Sequence, residues 1–272
     1  MVSRTVPTVH SDLVFDLGMN DGSDAAFYLA KGFRVVGVEA SAALCQQVSQ
    51  KYRSQIECGR LVVENVAVVD REGPVEFFPN EKSVWGTTRP DWVQRNERLS
   101  HASTRSITVS GTTVGSLIEK HGMPYYVKID IEGADRSALA GLRGQAEMPA
   151  FVSIESDKTS WAALEEEFDL LEALGYTRFK VVSQQWVSRQ RPLQPAREGV
   201  YAEWRFRLGD SGMFGEEAPG HWLSRAEAIR RYRNIFRRYR LFGDEGRLVP
   251  PSIAGAAVRR FLAGWYDTHA GR

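Results

Sequence analysis

The stretch LVFDLGMNDGSDAAFYLAKGFRVVGVEA, Leu13 to Ala40, limits what this chain can fold into more than any other part of it. Leu13–Leu17 is a short apolar run bounded by a turn and reads as a buried strand. Asp21–Lys31 has helical character and is stopped by Gly32. Arg34–Val38 is a second apolar run, and Glu39 follows it. Two buried strands joined through a helix fit a parallel pair, which needs a crossover that a hairpin turn cannot supply.

The same alternation continues. Ala42–Tyr52 reads as a helix and Leu61–Val68 as a third strand. Val75–Phe78 is a short strand after the turn Arg71-Glu72-Gly73-Pro74. Asn80–Arg105 has no clear period and carries Trp85 and Trp92, so it is expected to form an ordered lid. Thr112 or Thr113 caps a helix to His121. Tyr125–Ile129 is a strand, Asp135–Leu142 a helix and Phe151–Ile154 a strand. Ser160 begins a helix to Leu174. Tyr176–Val182 and Val200–Leu208 are expected to pair at the end. Strand and helix in alternation predict an α/β fold with a mostly parallel sheet, and the last pair predicts antiparallel pairing at one edge. The expected division is a main domain over residues 1–208 and a helical extension over 209–272, with helices over Ser224–Phe242 and Ile253–Tyr266.

Composition excludes little. The chain has 272 residues and a formal net charge of +1, so no global charge demands a nucleic acid. Cys45 and Cys58 make no CxxC pair or disulfide framework and are expected to be free thiols. The first residues lack the apolar core of a signal peptide, and no apolar run reaches transmembrane length. The expected location is the cytoplasm, with no membrane span.

The turn after the first strand points to a ligand. A dinucleotide fingerprint needs GxGxxG, but here Asn20 and Ser23 stand where the later glycines would be. What remains is Gly18-x-x-x-Gly22, which still lets a ligand approach the backbone closely. Asp16, Asp21 and Asp24 stud this turn. A pyrophosphate at a helix start would be repelled by Asp21. S-adenosylmethionine carries no phosphate, and its sulfonium and ammonium suit carboxylates, each charged hydrogen bond contributing about 1.5–3 kcal/mol. Glu39 at the end of the second strand can accept both ribose hydroxyls.

A second cluster lies in YYVKIDIEGADRSALAGL, Tyr125–Leu142. Lys128, Asp130 and Glu132 alternate along a strand and so share one face. They stand at a strand's carboxyl end, where open α/β sheets bind ligands. With these residues in view, the chain resembles the FkbM-type methyltransferases. The resemblance rests on Phe15-Asp16-Leu17-Gly18 through Gly22, Val38-Glu39, Asn65-Val66-Ala67-Val68 through Phe77, and Lys128-Ile129-Asp130-Ile131-Glu132-Gly133-Ala134-Asp135. It covers residues 13–182, with Asp135 where the family usually has glutamate. It implies a Rossmann-like class I methyltransferase fold and methyl transfer from S-adenosylmethionine to an oxygen, often of a sugar or natural product. By position it implies that Asp16, Gly18 and Asn20 hold the methionine end, that Glu39 takes the ribose, and that Asn65, Val66 and Ala67 lie beside the adenine. Asp130 would face both cofactor and acceptor.

An acceptor hydroxyl must lose a proton, so a base is needed within reach. Asp130 and Glu155 are the candidates, with Lys128 beside Asp130 as a third catalytic candidate. The strands of Asp130 and Glu155 are expected to be neighbours, and the two carboxylates would alternatively hold Mg²⁺. In the extension, Phe214, His221, Trp222, Trp265, Tyr266 and His269 are of the types that line a pocket for a ring-shaped acceptor, or that dock the extension onto the core. Arg225, Arg230, Arg231, Arg233, Arg237, Arg238 and Arg240 crowd one helix whose apolar face carries Ile229, Tyr232, Phe236 and Tyr239. The reading is an S-adenosylmethionine-dependent O-methyltransferase of a saccharide or small natural product. The alternatives are an RNA methyltransferase that uses the arginine helix, or a non-catalytic cofactor-binding assembly protein.

Overall fold

The computed structural model describes residues 9–79, 87, 106–131, 133–156, 160–242 and 265–272. The chain forms two compact units, Met1–Ala150 and Phe151–Arg272. Residues 209–272 therefore share a unit with residues 151–208.

The first unit is built on a parallel ladder. β1 (Val9–Leu17) pairs with β2 (Arg34–Val38) on one side and β7 (Met123–Ile129) on the other, and β2 pairs with β3 (Leu61–Glu64). The order of these strands is 3-2-1-7, and β7 is the fourth strand of the ladder in sequence. This matches the first part of the doubly wound order, in which the chain reverses direction between its first and fourth strands. Phe15, Leu17, Val35, Val36, Val38, Val127 and Ile129 are buried. Neighbouring residues of one strand face opposite sides, so burial of Val35 with Val36 requires cover on both faces of the sheet.

The crossovers are α1 (Ser23–Ala30), α2 (Ala42–Lys51), α3 (Arg53–Glu57) and α4 (Val114–His121). The Ser41 hydroxyl caps α2 by accepting from Leu44 N, and Thr113 caps α4 by accepting from Ser116 N at 3.1 Å. Of the two threonines that the sequence offered, Thr113 is the cap. The expected third strand Leu61–Val68 is divided into β3 and β4 (Ala67–Val68). β4, β5 (Gly73–Phe77) and β6 (Ile107–Thr112) form a separate small sheet in the order 4-6-5. β6 had no counterpart in the sequence reading. Trp85, Trp92 and the rest of the expected lid, Thr87 apart, lie outside the described residues.

In the second unit, β10 (Tyr266–Gly271) lies between β8 (Phe151–Glu155) and β9 (Arg178–Ser183) and is antiparallel to both. Antiparallel pairing near the chain's end was expected, but with a different partner. Val200–Leu208 is not a strand; its place beside β9 is taken by Tyr266–Gly271. The helix expected over Ile253–Tyr266 fails at its end for the same reason, since Tyr266 begins β10, and residues 253–264 lie outside the described residues. α5 (Asp135–Ala140) precedes Ala150 and belongs to the first unit. α6 (Trp161–Ala173) and α7 (Arg225–Phe242) are the helices of the second.

α7 buries Ala228, Tyr232 and Ile235. Tyr232 bonds the Thr268 hydroxyl at 2.7 Å, Thr268 bonds Ser156 at 2.6 Å, and Ser156 donates to Glu167 at 2.6 Å. Arg225 holds Asp169 and, at 2.6 Å, Glu172 of α6. These bonds tie α7 to α6 and β10. Among the described residues no helix is long and apolar enough to cross a membrane.

Candidate functional site

The turn between β1 and α1 is built around positive φ angles, at Gly18 (84°), Asn20 (51°) and Gly22 (74°). Gly18 is the most constrained of the three. A Cβ there would lie 1.8 Å from the Asp130 carbonyl oxygen, a backbone atom that cannot give way. The Gly18 and Met19 amides both donate to Val38 O at 3.0 Å, and the Asp130 amide donates to Leu17 O at 3.0 Å. The turn therefore sits against the carboxyl ends of β2 and β7 with no room between. Asp21 accepts from Ser23 N at 3.0 Å, which satisfies one of the free amides at the start of α1.

Glu39 fastens this turn to the next one. Its Oε2 accepts from Asn20 N at 3.0 Å and its Oε1 from Ser41 N at 2.8 Å. Burial pushes the carboxyl above its ordinary range, although the amides of Ser41 and Asn20 oppose the shift. Ala40 N also lies against this carboxylate, whose remaining lone-pair capacity can still accept ligand hydroxyls. Asn65 Nδ2 donates to the backbone oxygens of Glu39 and Ala40 at 3.0 and 3.1 Å. The side chain of Asn65 thus shapes the loop. Val66 is half-buried and Ala67 buried in β4 beside it.

Lys128 answers why the turn is so acidic. Asp16 and Lys128 are register partners on β1 and β7. The Lys128 ammonium lies 3.1 Å from Asp16 Oδ1, 3.1 Å from Asp24 Oδ2 and 3.6 Å from Asp130 Oδ2, and donates to Gly18 O at 3.3 Å. Burial disfavours its charge, but Asp16, Asp24 and Asp130 together hold it well above the ordinary lysine range. An ammonium in that state has no lone pair with which to take a proton. Lys128 therefore fits a positioning role better than that of a base. Burial pushes the Asp16 acid up to about 6; Lys128 opposes the shift, and Asp24 and Asp130 add to it. Asp130 is the member that reaches solvent, with its side chain 44% exposed.

Asp130 and Lys128 share a face as the alternation predicts, and Glu132 lies outside the described residues. Asp135 accepts from Ile131 N and Gly133 N at 3.0 and 2.9 Å, which fixes the turn after Asp130. Sequence reasoning missed Asp24 as a partner of Lys128, and Ser41 as the second brace on Glu39. Asp24 lies eight residues beyond Asp16 and meets Lys128 only through the packing of α1 on the sheet.

Glu155 ends β8 in the second unit, opposite Asp267 of β10. Among the described residues no group of three or more His, Cys, Asp or Glu is arranged to hold a metal ion, and the Mg²⁺ alternative draws no support from them. Trp222 stacks on Phe151 at 5.8 Å, donates to Glu216 at 2.8 Å and lies under Arg178 and Lys180. Phe214, Tyr266 and His269 are buried. His221 is exposed.

A parallel ladder of order 3-2-1-7, with a glycine turn and a strand-end glutamate at its mouth, defines a Rossmann-like α/β protein. The model of the methyltransferase FkbM domain matches residues 16–178, and the chain belongs to this family of S-adenosylmethionine-dependent methyltransferases. No curated protein matches it. Among solved structures it is similar to the methyltransferase FkbM from Methylobacillus flagellatus KT, at 18% identity over 66% of this chain and 42% of that one, with a TM-score of 0.45. The chain spans less than half the length of that structure. It is also similar to the StiE O-MT, at 9% identity over 96% and 67% of the two chains with a TM-score of 0.42. A third similar structure is an S-adenosylmethionine-dependent methyltransferase from Archaeoglobus fulgidus, at 11% identity over 96% and 86%, with a TM-score of 0.37.

Proposed function

We propose that the chain transfers a methyl group from S-adenosylmethionine to a hydroxyl of a saccharide or small natural product. The observation that carries this reading is the placement of Asp130. It is a solvent-facing carboxylate at the carboxyl end of a central strand, beside the glycine turn and steadied by a buried ammonium. When bound, S-adenosylmethionine supplies an electrophilic methyl on a cationic sulfur.

The residues of the chain supply the rest. Glu39 accepts the ribose hydroxyls with the lone pairs that Asn20 N and Ser41 N leave free. Asp16, Gly18, Asn20, Asp21 and Gly22 form the turn that receives the methionine end, with a negative charge suited to a cation. Asn65, Val66 and Ala67 flank the adenine side. Asp130 accepts the acceptor's proton as its oxygen attacks in line behind the methyl. Holding the two reactants in line contributes about 7–11 kcal/mol of barrier reduction, and proton removal adds roughly 10²–10⁴-fold. Lys128 keeps Asp130 in place, and Glu155 is the second candidate base.

One observation favours a second reading. Arg230, Arg231, Arg237 and Arg240 are exposed along the outer face of α7, which suits the phosphates of an RNA acceptor. Incubation with methyl-labelled S-adenosylmethionine and panels of saccharides, hydroxylated small molecules and RNA separates the readings. A mass gain of one CH₂ on a saccharide or small molecule supports the proposal. Label in RNA alone, with steep loss at raised salt, supports the second reading. Cofactor binding with no transfer to any acceptor supports a non-catalytic protein.

A further inference from the structure

Asp16 has a feature that its place in the turn does not explain. Its side chain is wholly buried, Oδ1 is bonded to Lys128, and among the described residues Oδ2 has no hydrogen-bond partner. The groups that face it come from three elements. α1 presents Asp24 and Tyr28, and β7 presents Tyr126, Lys128 and Asp130. Glu39, after β2, acts on the same ammonium from farther off. With every carboxyl ionised, Asp16, Asp24 and Asp130 set three negative charges against the single positive charge of Lys128. An unpaired charge out of water costs more than an unpaired neutral hydroxyl. Of the three acids, Asp16 is the one with no solvent at all, so relief of the excess charge falls to it.

We propose that in mildly acidic solution Asp16 carries a proton on Oδ2 while the site lacks a cation, and releases it to solvent when the positive charge of S-adenosylmethionine enters. Cofactor binding and proton release are then one coupled equilibrium. This rests on the reading of the site as an S-adenosylmethionine site. One O–H bond breaks, the proton passes to the buffer, and no other bond changes. Lys128 remains an ammonium throughout, as its three carboxylate neighbours require. Burial, with Asp24 and Asp130 adding to it against Lys128, places the Asp16 acid at about 6 before the cofactor binds.

The test is calorimetry of S-adenosylmethionine binding to the full chain, in buffers of different ionisation enthalpy. The slope of heat against that enthalpy counts the protons. Release of about half a proton per cofactor near pH 6, falling to about a tenth near pH 7, is expected. S-adenosylhomocysteine, which lacks the sulfonium charge, should release fewer. Asp16→Asn should bind without release. Asp24→Asn, which removes one negative neighbour and so leaves less proton on Asp16, should release less than the parent if Asp16→Asn does not fold. Measurable binding with no proton release near pH 6, or release unchanged in either variant, overturns the proposal. Absence of any binding heat instead overturns the cofactor reading, and the proposal with it.

Discussion

Glu39→Ala tests two consequences of one carboxylate, and the structure separates them. Within the protein, Glu39 accepts from Asn20 N at 3.0 Å and from Ser41 N at 2.8 Å. Truncation leaves two partly buried amides without their acceptor. Such a loss costs about 1–3 kcal/mol for a buried group, and water reaching this site brings the expectation to the lower end. Toward the cofactor, the variant loses charged hydrogen bonds to the ribose worth about 1.5–3 kcal/mol, which is about 10- to 150-fold in Kd. Denaturant unfolding gives the first quantity and calorimetry with S-adenosylmethionine gives the second. Glu39→Gln sharpens the test. It keeps one acceptor oxygen but must set its NH₂ against one of the two amide N–H groups. It should therefore lose affinity although the side chain is nearly the same size. A Glu39→Ala protein that folds and binds the cofactor within about twofold of the parent would remove Glu39 from the site, because the smallest loss the charged bonds allow is near tenfold.

Other expectations follow from the same geometry. Asp130→Asn should keep the fold and cofactor binding while lowering kcat by about 10²-fold or more through loss of the proton acceptor; near-parental turnover on the true acceptor contradicts the assignment. Gly18→Ala forces a left-handed φ and a clash with Asp130 O, so unfolding measurements should show a loss of about 2–5 kcal/mol, and a loss under 1 would contradict the packing described. His269 is buried in β10, and among the described residues neither ring nitrogen has a partner. Burial, helped by Lys180, lowers its pKa to about 3, against about 6.5 when unfolded. The unfolded chain therefore binds the extra proton between these values. The stabilisation is complete above about pH 6.5 and declines as pH falls, by about 3 kcal/mol on reaching pH 4.5. His269→Phe should flatten that slope in denaturant titrations, and an unchanged slope would show that His269 does not cause it.

The parts of the fold that follow hydropathy were legible in the chain. β1, α1 and β2 show as apolar runs punctuated by Gly18, Gly22 and Gly32, and period-two alternation put Lys128 and Asp130 on one face. β10 was hidden because, after Tyr266, its buried positions are Thr268, His269, Ala270 and Gly271, which carry little apolar strand signal. It holds its place through backbone pairing with β8 and β9 on both sides. Val200–Leu208 shows the opposite error, since its Val, Tyr, Trp and Phe favour a strand that tertiary pairing denies. β6 was hidden because it is largely exposed and belongs to a small separate sheet. In the site, the acids were visible but their partner was not. Lys128 meets Asp16 across 112 positions of sequence, through the register of β7 on β1. The settings of Trp222 and His269 were not legible, because an aromatic or histidine that packs into a core has the same letter as one that lines a pocket.

The acidic glycine turn is proposed to receive a cationic, phosphate-free cofactor. This is tested most directly by equilibrium titration of the full chain with S-adenosylmethionine and, separately, with NAD. The account predicts saturable binding of S-adenosylmethionine, weakened by Glu39→Ala, and no binding of NAD. Saturable NAD binding with none for S-adenosylmethionine would contradict it.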